Sequence, residues 1–444
     1  MRSFCKLGGK IHKKHSLLAK SLLLGDFSIE MLIRILTLAI AILSTRLLSA
    51  QVWKDCADSL KFIDFEKNKI EVFDSTQWTF FQKKLCSCAE SDTAKVSIVH
   101  IGDSHLQADF LSGELRRCLH REFNHSRPSR GLIFPYTVAG TNNPSNYKIG
   151  YTGDWTNSKC IDRQCENIGI SGITVTTSDT TSTLYICIAD NEPPGYGGSR
   201  IQLFTDLDKL GLWPILYGDT ATNRLAKIDV ESQSIIWELD TIVDSIAFTF
   251  NKMPIQGKRI KSKGDSFILQ GLSLTTGKGI EYHTIGVNGA RVSSYLKCEK
   301  FIPQLKSLNP DLVIISLGTN DSYGQNFNSE KFENQLAKLI ESIQKEGICN
   351  NILLTTPGND KINRELYNQN AHICAETIAK VGKQMKCAIW DFNAIMGNDE
   401  NVDVWFESGL MRSDYLHFTK EGYELQAHLL FNAMLNGCSI KSQF

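Results

Sequence analysis

The chain has 444 residues, 48 basic and 48 acidic side chains and hence no formal net charge, with 42% hydrophobic and 22% charged residues. That balance describes a globular protein with room for two domains, or for one domain with a large insertion. It excludes the basic excess that a nucleic-acid surface needs, so no nucleic-acid partner is expected.

In chain order, the first thirty residues scatter Lys6, Lys10, Lys13, Lys14 and Lys20 among a few leucines. From Met31 the pattern sharpens. Arg34 supplies a positive end, residues 35–43 an apolar stretch too short to span a bilayer, and Ser49-Ala50 small residues suited to cleavage. This order predicts a leader over residues 1–50 whose true start is Met31. The mature protein is then exported, periplasmic or extracellular, with no stable membrane span once the leader is gone. An uncleaved N-terminal anchor is the alternative. Thirteen cysteines occur, and losing Cys5 with the leader leaves twelve. An oxidising compartment permits bridges, and Cys160 with Cys165, five apart in a polar loop, is the pair expected to form one. No C-x-x-C occurs, so neither a zinc site nor a redox motif is expected, and no cofactor.

Residues 53–94 read as a lead-in with one helix over 78–86. Val96, Ile98, Val99 and Ile101 then form a short apolar run, as in a strand buried on both faces, and Gly102 ends it. Asp103, Ser104 and His105 make a polar turn, and Leu106, Phe110, Leu111, Leu115 and Leu119 follow at helical spacing. Ser104 therefore sits where a strand hands over to a helix. It is there either as a helix cap or as a hydroxyl awaiting a base. A Gly-, Asn- and Pro-rich loop over 130–144 lies near the strand's carboxyl end, where it can wall a site.

From 147 to 276 short alternating runs of Thr, Val, Ile and aromatics appear, at 173–177, 183–188, 200–204, 227–230, 235–239, 246–250 and 267–274, between Gly and Pro turns. They predict an inserted all-β sandwich or small barrel. Trp155, Tyr196, Trp213, Tyr217 and Trp237 in it are candidates for stacking on sugar rings. Trp213, in a G-L-W-P turn, is the one expected to be most exposed. Strands at 312–317, 352–355 and 387–392 then alternate with helices at 330–345 and 365–385. That alternation implies an α/β fold with a parallel sheet and helices on both faces. The domain plan is thus residues 51–146, the insertion 147–276, and 277–444, the last ending in a helix capped by Thr419.

The chemistry rests on three stretches. G-D-S ends the first strand, L-G-T-N-D carries Asn320 after another, and D-x-x-H places Asp414 and His417 in one loop before the last helix. Such a carboxylate can hold one imidazole nitrogen while the other faces a nucleophile. In this order the motifs resemble those of the SGNH (GDSL-type) hydrolases, over about half the chain in two separated pieces. The resemblance implies a three-layer α/β/α, flavodoxin-like fold. It also implies an ester hydrolase whose Ser104 attacks, whose His417 moves the proton, and whose Asp414 orients His417. Its oxyanion site would join the Ser104 N–H, the Gly289 N–H of I-G-V-N-G-A-R and the Asn320 amide. An α/β-hydrolase reading shares the order Ser, Asp, His, but no G-x-S-x-G surrounds Ser104.

The extended form G-D-S-H-x-x-x-D, ending at Asp109, resembles cell-envelope carbohydrate O-acetylesterases, peptidoglycan enzymes included. Some of those also carry a β-rich insertion. The partner implied is an acylated carbohydrate, contacted among others by Trp155 and Trp213. Asp103, His105 and Asp321 are further pocket candidates; pairing His105 with His100 as a metal site lacks a third ligand. Acyl transfer to a sugar hydroxyl by the same triad, and glycan binding without catalysis, are the other functional readings. The leader makes a direct prediction. Mass spectrometry of the secreted fraction should find a mature N-terminus at or near Gln51 and no peptide from the first thirty residues.

Overall fold

Val96, Ile98, Val99 and Ile101 are fully buried, and they build the middle of a six-stranded sheet. In a computed structural model that describes residues 60–123, 128–188, 195–217, 225–252 and 264–436, this sheet begins with β1 (Ile70–Glu71), followed by α1 (Ser75–Glu90) and β2 (Lys95–Gly102). The helix α2 (Phe110–Phe123) comes next. The sheet resumes after a long insertion with β14 (Gly279–Gly286), β15 (Leu312–Ser316), α3 (Ser329–Lys345), β16 (Ile352–Thr355), α4 (Gln369–Met385), β17 (Ala388–Trp390) and α5 (Lys420–Leu435). The order is β1-β17-β16-β15-β2-β14, parallel except for β1 on β17. Counted along the chain, the five parallel strands lie 2-1-3-4-5, the flavodoxin-like doubly wound order. Its switch point falls between β2 and β15, so the crevice opens at their carboxyl ends.

Polar residues inside this sheet are satisfied in a line. His100 Nδ1 lies 2.6 Å from the Tyr282 hydroxyl and its Nε2 2.6 Å from Ser316 Oγ, which accepts from Thr355 Oγ1 at 2.8 Å. The chain of bonds crosses β14, β2, β15 and β16. Burial pushes His100 down to about 3, so the ring is neutral and serves structure. His100 does not touch His105 through any of these bonds.

The insertion comprises β3 (Gly131–Ile133), β4 (Tyr147–Thr152), β5 (Thr156–Lys159), β6 (Ile173–Thr177), β7 (Thr183–Ile188), β8 (Gly198–Thr205), β9 (Leu212–Leu216), β10 (Lys227–Asp229), β11 (Ser234–Val243), β12 (Ser245–Lys252) and β13 (Phe267–Thr275). One antiparallel sheet runs β10-β11-β8-β13-β6-β5 with β3 beside β13; the other runs β4-β7-β12-β9. This all-β array and the parallel sheet belong to one compact unit, Phe62–Lys441. The leader predicted over 1–50 lies outside the described residues, and among those described no helix is long and apolar enough to cross a membrane.

Several details differ from the reading of the sequence. Strands β3, β4, β5 and β9 had no separate signal; β9 contains Trp213 and Pro214, so the G-L-W-P stretch is a strand, not a turn, with Trp213 opposite Asn251. Helix α3 begins at Ser329, one residue ahead of the expected 330, and is capped by Asn328, whose side chain accepts from the Lys331 N–H at 2.8 Å. The start expected at 365 for α4 is a short pair, Lys361–Ile362 with Leu366–Tyr367, turned by Asn363 and Arg364 at φ 53° and 68° before Asn368 caps the helix. Cys160 and Cys165 are both free thiols, the first buried and the second half-buried, so the expected bridge is not formed.

One buried ion cluster ties the start of α2 to the chain on either side of β3. Asp109, at φ 57°, accepts from Arg116 Nη2 at 2.7 Å, Arg130 Nη2 at 2.9 Å, Asn146 Nδ2 at 2.7 Å and Ser112 Oγ at 2.5 Å. Burial works against its charge, but the two guanidinium groups hold the carboxyl well below the usual range. Removing one partner of a buried pair leaves an uncompensated charge. Asp109→Ala should therefore lose about 3–5 kcal/mol in chemical denaturation. A loss below about 1 kcal/mol, the range of exposed pairs, would show that Asp109 is not the anchor.

Candidate active site

The nucleophile turn begins at Asp103, whose carboxylate accepts the His105 N–H at 3.0 Å and so caps the single helical turn Ser104–Gln107. Because Asp103 takes the capping role, the Ser104 hydroxyl is left for other work. Ser104 Oγ lies 2.9 Å from His417 Nε2, and His417 Nδ1 lies 2.9 Å from Asp414 Oδ2. The D-x-x-H spacing has a local cause. Asp414 Oδ1 also accepts the N–H groups of Leu416 and His417, at 3.0 and 2.9 Å, so one carboxylate both folds the turn and holds the ring. Burial alone would raise Asp414, and these bonds from His417 and Leu416 lower it below the usual carboxylate range. A hydroxyl, an imidazole and a carboxylate in this chain can perform nucleophilic attack with proton relay.

Gly289 and Asn320 come to the same place. An open cleft of about 600 Å³ is lined by Ser104, Gly289, Asn320, His417, Arg412 and Tyr423, with Asn142, Asn143, Ser145 and Asn288 on its wall. The glycine is not there for space, since a Cβ on Gly289 would meet nothing within 4 Å. Its φ of 77° is the reason, because side-chain-bearing residues rarely adopt that conformation. Close approach matters instead at Gly286, where a Cβ would fall 2.5 Å from the Gln107 backbone nitrogen. Asn320 Nδ2 donates to Asp103 Oδ2 at 3.0 Å and to the Ala290 carbonyl at 3.1 Å, which aims the amide between the first two loops.

The remaining candidates lie elsewhere. Asp103 and His105 line a separate cavity of about 50 Å³ behind the triad instead of the cleft. Burial raises the Asp103 carboxyl to about 7 against the His105 and Asn320 bonds. His105 stacks on His417 with centroids 5.2 Å apart, and its Nδ1 meets the Tyr423 hydroxyl at 3.0 Å. Burial, with His417 beside it, pushes His105 down to about 3 and keeps it neutral. Asp321 accepts the Val292 N–H at 3.3 Å, pinning the loop after Gly289, and burial raises it to about 6. Trp155 and Trp213 are half-buried on the β insertion, and neither lines the cleft. Tyr196 and Trp237 are core residues, whereas Tyr217 is 75% exposed.

The sequence reading missed Gln107. Its Nε2 donates to the Thr141 hydroxyl at 3.0 Å and the Asn142 carbonyl at 2.9 Å, while its Oε1 accepts the Asn288 N–H at 2.8 Å. One side chain thus joins the nucleophile turn, the cleft wall and the Gly289 loop. Asn288 and Arg412 were missed because isolated polar residues in loops carry no periodicity, and Tyr423 because on α5 it reads as one more core ring; Asn142 belongs to the 130–144 loop expected to wall the site.

Residues 262–425 match the GDSL-like lipase/acylhydrolase family, a span that holds Gly289, Asn320, Asp414 and His417 but not Ser104. Among solved structures, a peptidoglycan O-acetylesterase is similar with a TM-score of 0.65 at 17% identity, over 83% of this chain and 98% of that one. A lipase/acylhydrolase from Enterococcus faecalis aligns at 21% identity over 36% of this chain and 77% of its own, with a TM-score of 0.29. No curated protein matches the chain. The first of these likenesses extends over both the parallel sheet and the β insertion, and the family match covers the second half of the site. The chain therefore shares the fold of that O-acetylesterase structure, and its residues 262–425 resemble the GDSL-like lipase/acylhydrolase family.

Proposed function

We propose that this protein is an exported serine esterase that removes O-acetyl groups from a glycan of the cell envelope or diet. The observation that carries the reading is the pair of 2.9 Å contacts linking Ser104 Oγ to His417 and His417 to Asp414 at the mouth of the cleft. Ser104 Oγ attacks the ester carbonyl carbon while His417 Nε2 takes its proton. The tetrahedral oxyanion is met by the N–H groups of Ser104 and Gly289, and by Asn320 Nδ2 once one of its two protons turns from the Ala290 carbonyl. Collapse expels the sugar alcohol, which receives the proton from His417. Water then enters by the same route and releases acetate.

Two features favour a short acyl group on a polar carrier. The wall is Asn142, Asn143, Ser145 and Asn288, and the apolar lining is limited to Ala108, Phe110 and the Tyr423 ring. A long acyl chain gains about 0.8 kcal/mol for each methylene it buries, and in this lining it would find its apolar side-chain contacts at Ala108, Phe110 and Tyr423. The acetyl specificity of the similar peptidoglycan O-acetylesterase agrees with this reading.

Ser104→Ala should abolish hydrolysis of an aryl acetate in a folded protein, and Asp414→Asn should cost up to roughly 10⁴-fold in kcat. Asn320→Ala should lower kcat by about 10²–10³-fold with little change in KM, because its donor matters once charge has developed. Substantial turnover by the Ser104 variant would overturn the mechanism, and an effect of Asn320→Ala on KM alone would make that residue a substrate-binding group. Against a series of aryl esters, acetate should outpace hexanoate, and acetate should be released from acetylated glycan. A preference for hexanoate would argue for a lipid substrate.

A further inference from the structure

Outside the cleft, α2 and α5 bring together three side chains that no step of ester hydrolysis uses. Glu114 and Cys118 stand one turn apart on α2, on the same helix face, and His428 faces them from α5. Their donor atoms all lie within 4.8 Å of one another. Cys118 Sγ is 3.5 Å from Glu114 Oε1 and 3.7 Å from His428 Nδ1, and His428 Nε2 is 3.1 Å from Glu114 Oε1. We propose that Glu114, Cys118 and His428 form a divalent metal site, selective for zinc, that clamps the last helix to the nucleophile helix.

The dimensions suit the ion. Zinc bonds of roughly 2.3 Å to sulfur and 2.0–2.2 Å to nitrogen and oxygen in a tetrahedron separate the donors by about 3.3–3.6 Å. One His428 nitrogen would bind the ion, and since the three donor atoms lie within 4.8 Å of one another, a turn of the ring and a contraction of about 1 Å bring them to that size. One thiolate, one imidazole and one carboxylate are a donor set for zinc and not for magnesium or calcium, which take oxygen. Thiolate and carboxylate together balance a double positive charge. The outer shell is also present. Arg117 Nε donates to Glu114 Oε2 at 2.7 Å, which orients the carboxylate and leaves Oε1 turned to the other two donors. Three protein ligands leave a fourth position for water. A cavity of about 120 Å³, bordered by Arg117, Lys420 and Glu424, reaches the site on its Glu114 side. The consequence for the fold is direct. α2 starts just after the nucleophile turn and α5 just after the His417 loop, so a bond across them fixes the spacing of the two loops from behind.

The test is metal titration of the purified full chain after dialysis against a chelator, using Co²⁺ as the probe and then Zn²⁺. The expected result is one equivalent of Co²⁺ bound, with a sulfur-to-cobalt charge-transfer band in the near ultraviolet that Zn²⁺ displaces. That band should vanish in Cys118→Ser and in His428→Ala. Zn²⁺ should raise the unfolding temperature of the wild type and of neither variant, while His428→Ala keeps its aryl acetate hydrolysis. Glu114→Gln, of nearly equal volume, should bind Co²⁺ weaker by roughly tenfold or more, which tests the site should Cys118→Ser not fold. A folded wild type that takes up no Co²⁺ would reduce the cluster to a hydrogen-bonded trio and overturn the proposal. A charge-transfer band that persists in folded Cys118→Ser would do the same, by placing the metal on another of the cysteines.

Discussion

The site depends on a carboxylate that does no chemistry. Asp103 is 1% exposed, and it caps the turn that presents Ser104 with one oxygen while receiving the Asn320 amide with the other. An unpartnered group at that depth would cost the full penalty of its lost hydration. The penalty therefore forces the loops after β2 and β15 to keep their present spacing. Burial lifts its carboxyl toward neutrality, and the two donors offset that. Ser104 and Asn320 face the same small volume because both loops answer to this one group. Asp321 acts alike on the third loop, holding the Val292 N–H behind Gly289.

Much of this was legible in the sequence, and the reason is physical. Strands buried on both faces must be apolar runs, so β2, β15 and β16 stood out, and their carboxyl ends are where a doubly wound sheet opens. Asp414 and His417 share one turn, so their relation is local and spacing alone suffices. The β insertion was legible as a class because alternation marks half-buried strands. Its edges were not: β4 and β5 expose many of their residues, and β9 includes a proline that reads as a turn. Whatever depends on long-range contact was invisible. Gln107 meets Asn288 across 181 residues, and Cys118 meets His428 across 310. Counting C-x-x-C motifs finds metal sites that a loop builds and passes over those that two packed helices build.

The same limit applies to aromatic residues. Trp213 was expected to stand exposed in a turn, yet it is half-buried in a strand at the surface of the core, whereas Trp237 is wholly inside it. Which face of a strand meets the core is set by its register in the sheet. For β9 that register comes from pairing with β12, which the sequence of β9 alone does not contain.

The insertion's attachment also bears on why a fold of this kind can carry it between the Ser104 and Gly289 loops. β13 ends at Thr275, and only the turn through Gly277 separates it from β14, whose register beside β2 sets the position of Gly289. β13 in turn pairs with β3, which follows α2, so the insertion enters and leaves along adjacent strands. Gln304, wholly buried, donates to Gln270 of the insertion at 2.5 Å and accepts the Ile170 N–H at 2.7 Å. A hydrophobic cluster continuous from Val99 and Ile315 to Leu203 and Phe250 fills the space between. Two domains joined by a mobile linker would show polar, separable faces at their junction. Here the junction is core. The insertion thus contributes to the stiffness of the strand that leads to Gly289, and any role in holding a polymeric substrate is added to that mechanical one. The family match begins at residue 262, near the end of the insertion and well beyond Ser104. The sheet restores the missing piece by laying β2 directly against β14.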